Sequence, residues 1–220
     1  MWRRQVPFAF LGKSLADNSY HAMTEHYFAR EPTAPRRDIE LSVEIRGRHF
    51  RFRSDSGVFS AERVDPGTRL LAEVMAIAPG DRTLDLGCGY GVLGIVAAAL
   101  APQGLAVLLD RNTRAVELSQ ANIALNGIPN AEAVLADGAD AVADCVFHVV
   151  VTNPPVHAGN RAVFAFIEGA HRALRAGGAF YLVGRMRRGV ATFTRHMEHT
   201  FGGVEEVEKK SGYRVYRSRR

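Results

Sequence analysis

"RTLDLGCGYGVLGIVAAALA", residues 82–101, sets a short strand, a glycine-rich turn and an apolar helix in one continuous run. Gly87, Gly89 and Gly91 let the backbone turn tightly and approach a ligand with no Cβ in the way. The helix that follows presents its first free N–H groups to the same ligand. The G-x-G-x-x-G spacing at Gly89, Gly91 and Gly94 is a weak signal alone. Asp85, two residues ahead of the first glycine, makes the whole string much more specific. The stretch predicts the opening unit of a doubly wound α/β sheet, with Asp85, Gly87, Cys88, Gly89, Tyr90 and Gly91 at its ligand edge.

Downstream, the same alternation continues. Strands are expected in "LAVLLD" (105–110), "AEAVLAD" (131–137), "CVFHVVVTN" (145–153) and "AFYLVG" (179–184). Helices are expected at 112–126, stopped by Gly127, at 160–176, stopped by Gly177-Gly178, and at 190–201. Strands and helices alternating at this spacing imply right-handed crossovers and parallel pairing. The last two strands, within 203–218, are joined by only "KKSG", so they form an antiparallel hairpin at one edge. The result is a seven-stranded sheet, mostly parallel with one antiparallel edge strand.

Upstream, residues 1–22 are poorly patterned and read as an extension. Residues 23–60 hold a proline-bearing linker and a β-hairpin at 38–55, where Ile39, Leu41, Val43 and Ile45 alternate and Arg46-Gly47 marks the turn. Residues 61–220 form the main domain, and Pro66 opens a helix that runs to about Ile77.

Composition limits the function classes. Hydrophobic residues are 47% and charged residues 23% of the 220, enough to bury a sizeable core. No apolar stretch is long enough to span a bilayer. The start, "MWRRQVPFAFLGK", lacks a full apolar run and a cleavage site, so a cytoplasmic protein is expected. Cys88 and Cys145 make neither a disulfide framework nor a zinc set, and His196 and His199 have no further ligands beside them. No metal is expected. Lys and Arg against Asp and Glu stand at 10 to 7 in residues 1–60, 5 to 11 in 61–153 and 13 to 5 in 154–220. An acidic centre between basic ends fits a polyanionic partner, nucleic acid above all.

Each strand end has its own chemistry. Asp110 lies about twenty residues past the glycine loop, where a carboxylate accepts both ribose hydroxyls of an adenosine-type cofactor, with Arg111 beside it. The alternative for Asp110 is a helix N-cap. Asp137, followed by Gly138, is a candidate acceptor for an adenine amino group, or a turn aspartate. The apolar run 149–152 ends in Asn153, Pro154 and Pro155. Two prolines remove two donors and fix two φ angles, so the amide of Asn153 and the carbonyl of Pro154 become rigid acceptors. An aromatic NH2 is a poor nucleophile because its lone pair is delocalised. Two acceptors on its hydrogens hold it and aim that lone pair, so positioning and electrostatics carry the catalysis. The alternative is a plain turn.

In this order, the glycine string, Asp110, Asp137 and Asn153-Pro154-Pro155 resemble the class I S-adenosylmethionine-dependent methyltransferases, the last element in their amino-methylating branch. "GVFSAERVDPGTRLL" (57–71), "NPPVHAG" (153–159) and the closing "GYRVYRS" (212–218) are similar to the small-domain family that includes RsmC-type ribosomal RNA guanine-N2 methyltransferases. That resemblance covers about residue 23 to the C-terminus. It implies S-adenosylmethionine as cofactor, the class I sheet, and guanine N2 in ribosomal RNA or a ribosomal subunit as target. The aromatic residue that often follows Asn-Pro-Pro is Val156 here, so stacking on the base falls to another side chain, with Phe59 the candidate. His157 is either a substrate contact or a cap of the next helix. The competing readings are a methyltransferase for a protein glutamine or small molecule, a nicotinamide-dependent oxidoreductase, and a non-catalytic RNA-binding relative.

Overall fold

The computed structural model describes residues 37–155, 158–185 and 190–220. The expected extension, most of the linker, Val156, His157, Arg187 and Arg188 lie outside the described residues.

The hairpin forms as its alternation predicts. Strands β1 (Ile39–Ile45) and β2 (Arg48–Ser54) pair antiparallel through a two-residue turn. Arg46 and Gly47 both have positive φ, 53° and 70°, which matches the right-handed twist of a tight hairpin. Phe50 and Phe52 turn inward and share a core with the helices of the main domain.

After the hairpin, α1 (Pro66–Val74) starts on an Asp65 cap with proline in its first turn. It ends three residues before the expected Ile77, because Met75 takes an extended conformation and is fully buried. The chain then runs β3 (Arg82–Leu86), α2 (Val92–Leu100), β4 (Leu105–Asp110), α3 (Thr113–Leu125), β5 (Ala131–Leu135), a short 3-10 turn, and β6 (Phe147–Thr152). It closes with α4 (Asn160–Ala173), β7 (Leu174–Arg185), α5 (Val190–Phe201), β8 (Glu205–Lys210) and β9 (Tyr213–Arg219).

The seven main strands lie in the order β5-β4-β3-β6-β7-β9-β8. The first five are parallel, and β9 runs antiparallel to both β7 and β8. The closing hairpin therefore completes one edge, with β8 outermost. Apolar residues on both faces of β4 and β6 feed two separate cores, one on each side of the sheet, and β3 gives Leu84 and Leu86 to one of them.

Helix α4 stops at Ala173, earlier than the expected Gly177-Gly178. Leu174 is fully buried, extended, and paired with Phe147, so tertiary packing ends the helix before the glycines do. The guanidinium of Arg220 donates to the carbonyls of Arg172 and Leu174, satisfying the freed helix end.

Two helix side chains act as a surrogate strand for β2. Asn122 accepts from the Arg53 N–H at 2.7 Å and donates to the Arg53 and Tyr90 carbonyls at 2.9 Å each. One turn later, Asn126 repeats the exchange with Arg51. This covers the hairpin's exposed edge and fixes it to α3. Asn122 is fully buried, so Asn122→Ala strands three backbone groups. We expect a loss of about 3 kcal/mol in urea unfolding; a loss under about 0.5 kcal/mol would contradict this assignment.

Candidate active site

The carboxyl ends of β3, β4, β5 and β6 converge on a cavity of about 320 Å³. Its lining includes Asp85, Gly87, Cys88, Gly89 and Tyr90 from the first unit, then Asp110, Arg111, Asp137 and Gly138. Asn153, Pro154, Pro155 and Phe59 line it as well.

The glycine loop is tied down by β4: the Gly87 and Cys88 N–H groups both donate to the Leu109 carbonyl, at 2.8 and 3.0 Å. Gly89 has φ 56°, and a Cβ there would meet nothing within 4 Å, so the space beside it is open to a ligand. Gly91 does a different job. It is the N-cap of α2 with φ 94°, it is not part of the lining, and a Cβ there would approach Ser119 Oγ at 2.9 Å.

Asp110 takes the Gly89 N–H on Oδ2 and the Asn112 N–H on Oδ1, each at 2.9 Å. It is therefore no cap for α3; Asn112 caps that helix through the N–H groups of Arg114 and Ala115. The Asp110 carboxylate lines the cavity. Burial pushes its pKa up, opposed by its N–H donors and by Arg111. Asp137 is exposed, with the Arg111 guanidinium 4.0 Å away.

Asp85 is buried beneath the loop. Its Oδ2 accepts the Gly94 N–H at 2.8 Å, and its Oδ1 has no hydrogen-bond partner among the described residues. Burial pushes its pKa up to about 7, helped by the charge of Asp110 and opposed by the Gly94 bond. Asp85 and Asp110 make this side of the cavity rich in carboxylates. Burial and these same carboxylates hold the Cys88 thiol well above its usual range, so it serves as wall and not as nucleophile.

The amide of Asn153 is fixed from an unexpected direction. Its Nδ2 donates to Asp65 Oδ1 at 3.1 Å and to Thr68 Oγ1 at 2.8 Å. Its Oδ1 accepts nothing among the described residues. Pro155's carbonyl is taken by the Ala158 N–H at 2.8 Å, whereas Pro154's is not. Asp65 also accepts from the Tyr213 hydroxyl at 3.1 Å, and the Arg185 guanidinium lies 5.2 Å from the centre of the Tyr213 ring. Arg185 lines the cavity together with Asp65, Thr68, Tyr213 and Phe166, and sequence reading passed over the last four as site residues. Asp65 did carry a signal, an acidic residue just ahead of Pro66, but that signal reports a helix start and nothing about Asn153. Phe59 is 43% exposed at the cavity wall.

A family model described as "Methyltransferase small domain" matches residues 49–217. The chain belongs to the methyltransferase small domain family. Its seven-stranded sheet is the class I methyltransferase fold. The chain is 35% identical over 202 residues to the uncharacterized protein YbxB of Bacillus subtilis, covering 90% of this chain and all of that one. It is 34% identical to ribosomal RNA small subunit methyltransferase C of Stutzerimonas stutzeri, over 85% of this chain and 57% of the relative. Among solved structures, the T. thermophilus 16S rRNA N2 G1207 methyltransferase (RsmC), in complex with AdoMet and guanosine, superposes with a TM-score of 0.73. It shares 29% identity, over 82% of this chain and 50% of that one. This methyltransferase-domain chain thus spans about half the length of its RsmC-type relatives.

The raised pKa of Asp85 has a consequence for the ligand-free protein. Its folded value of about 7 stands above the ordinary 3.8, so the folded state holds the proton more tightly. Below pH about 4 the group is neutral in both states and costs nothing; as pH rises toward 7 the folding penalty grows to its full size. Asp85→Asn keeps the shape and an acceptor for Gly94 without the charge. It is expected to be more stable than the wild type at pH 8, by about 2–4 kcal/mol, with the gap closing near pH 4. A gap independent of pH in denaturant titrations would contradict this.

Proposed function

We propose that this chain transfers the methyl group of S-adenosylmethionine to an exocyclic amino group, N2 of a guanine in ribosomal RNA. The observation that carries the reading is the Asn153 amide, whose NH2 is engaged by Asp65 and Thr68 while its oxygen, like the neighbouring Pro154 carbonyl, has no partner among the described residues. Both are acceptors, and an amino group is the reactant that needs acceptors.

The residues present fit the cofactor. The open space at Gly89 admits a ligand against the backbone, Asp110 suits ribose hydroxyls, and Asp137 suits an adenine amino group. Asp85 and Asp110 supply negative potential for a cationic ligand. When bound, S-adenosylmethionine supplies an electrophilic methyl carbon on a cationic sulfur. Asn153 Oδ1 and the Pro154 carbonyl would hold the two amino hydrogens, which removes rotational freedom and leaves the nitrogen lone pair aimed at that carbon. The methylated nitrogen is then strongly acidic and sheds its proton without a dedicated base.

The RNA half of the reading rests on charge at the cavity rim. Several terminal arginines are committed elsewhere: Arg214 pairs with Glu206, Arg217 with Glu205, and Arg220 caps α4. Arg63 and Arg185 are exposed, form no ion pair among the described residues, and both act electrostatically on Tyr213 beside the cavity. They are the better phosphate contacts. A cytoplasmic location follows from a ribosomal substrate.

Asn153→Ala removes a strand-end side chain and opens no large core cavity. We expect the fold and the dissociation constant for S-adenosylhomocysteine to hold while single-turnover methyl transfer to RNA falls by roughly a hundred- to thousandfold. Wild-type turnover in this variant would overturn the amino-transfer reading.

A further inference from the structure

We propose that Asp65 is a positioning residue: it sets which way round the Asn153 amide sits, and so presents oxygen and not nitrogen to the amino group being methylated. This rests on the function proposed above.

An asparagine amide is nearly symmetric in shape, and its neighbours decide its orientation. Two neighbours meet the Asn153 amide nitrogen. Thr68 Oγ1 is neutral to the choice, since a hydroxyl both donates and accepts. Asp65 is not, since a carboxylate only accepts. Turning the amide over would set Oδ1 of Asn153 against Oδ1 of Asp65, replacing a 3.1 Å hydrogen bond by repulsion between two acceptors.

Asp65 cannot swing aside to relieve that. It is 8% exposed and holds four donors: the Gly67 and Thr68 N–H groups at 2.8 and 2.9 Å, Asn153 Nδ2, and the Tyr213 hydroxyl at 3.1 Å. The first two are the start of α1, so the helix cap doubles as the lock. The Tyr213 bond reaches in from β9, which ties the closing hairpin to the same carboxylate.

Two substitutions separate the lock from the cap. Serine and asparagine cap helices about as well as aspartate. Only asparagine is long enough to keep an oxygen on Gly67, Thr68 and Asn153 together. Asp65→Ser is expected to lower single-turnover methyl transfer by about tenfold or more with unchanged affinity for S-adenosylhomocysteine. Asp65→Asn is expected to stay within about threefold of wild type. In an Asn153→Ala background, Asp65→Ser should cost almost nothing further, because the two residues act as one unit. Equal rates for the serine and asparagine variants, or a full-sized loss in the Asn153→Ala background, would reduce Asp65 to a helix cap and overturn the proposal.

A second readout needs no RNA. The Asn153 side-chain NH2, followed by nitrogen-15 NMR, is expected to exchange slowly with water in wild type and Asp65→Asn and quickly in Asp65→Ser. Thr68→Val leaves the cap and the Asp65 bond intact and removes only the neighbour that is neutral to orientation, so methyl transfer is expected to stay within about threefold of wild type. A loss as large as that of Asp65→Ser would count against Asp65 as the lock. Wild-type turnover in Asn153→Ala would overturn the amino-transfer reading instead, and the exchange measurement would still report on Asp65.

Discussion

Everything in this molecule depends on β3 pairing in parallel with β4 on one side and β6 on the other. Parallel strands share a direction, so their carboxyl ends share an edge. The chain order reverses at β3, and the loops after β3 and β6 diverge there and leave a crevice. One pairing choice thereby brings residue 87 beside residue 153. Buried Leu84, Leu86, Val149, Val150 and Val151 hold that choice, since a slip would expose part of two cores. The site needs no further device to assemble its two halves.

Within the crevice, the chemistry divides by polarity. The β3 and β4 side carries carboxylates, Asp85 and Asp110, both with pKa values raised by burial. The β6 and β7 side carries an uncharged amide, proline carbonyls and, at its rim, Arg185 over Tyr213. A cation fits the first half and a neutral hydrogen-bond donor with anionic flanks fits the second. That division suits the proposed pair of a sulfonium donor and an RNA amino group.

The parts legible in the sequence were those written locally. The 82–101 stretch announced its strand, loop and helix because period, glycine and helix start lie within twenty residues. Asp110, Asp137 and Asn153 were legible because a parallel sheet sends every strand end to one edge. The Asp65 lock was not, because Asp65 and Asn153 are 88 residues apart and Asp65 and Tyr213 are 148 apart. Local propensity also misled at Gly177-Gly178, where burial of Leu174 ended α4 first. Asn122 looked like an ordinary helix residue, yet its amide is spent on the backbone of β2. The terminal arginines show the same limit from the opposite direction. Their composition suggested free positive charge, and only the folded hairpin reveals Glu205 and Glu206 across from them.

The central claim is that two rigid acceptors select an amino group as the methyl acceptor. The identity of the methylated atom tests it most directly. The purified chain would be incubated with ribosomal RNA and isotopically labelled S-adenosylmethionine, the RNA digested to nucleosides, and the labelled product resolved by mass spectrometry against synthetic standards. This account predicts N2-methylguanosine. Label on a ribose oxygen or a base carbon would contradict it, because a hydroxyl offers one donor hydrogen and a base carbon none, where Asn153 and Pro154 are set to hold two.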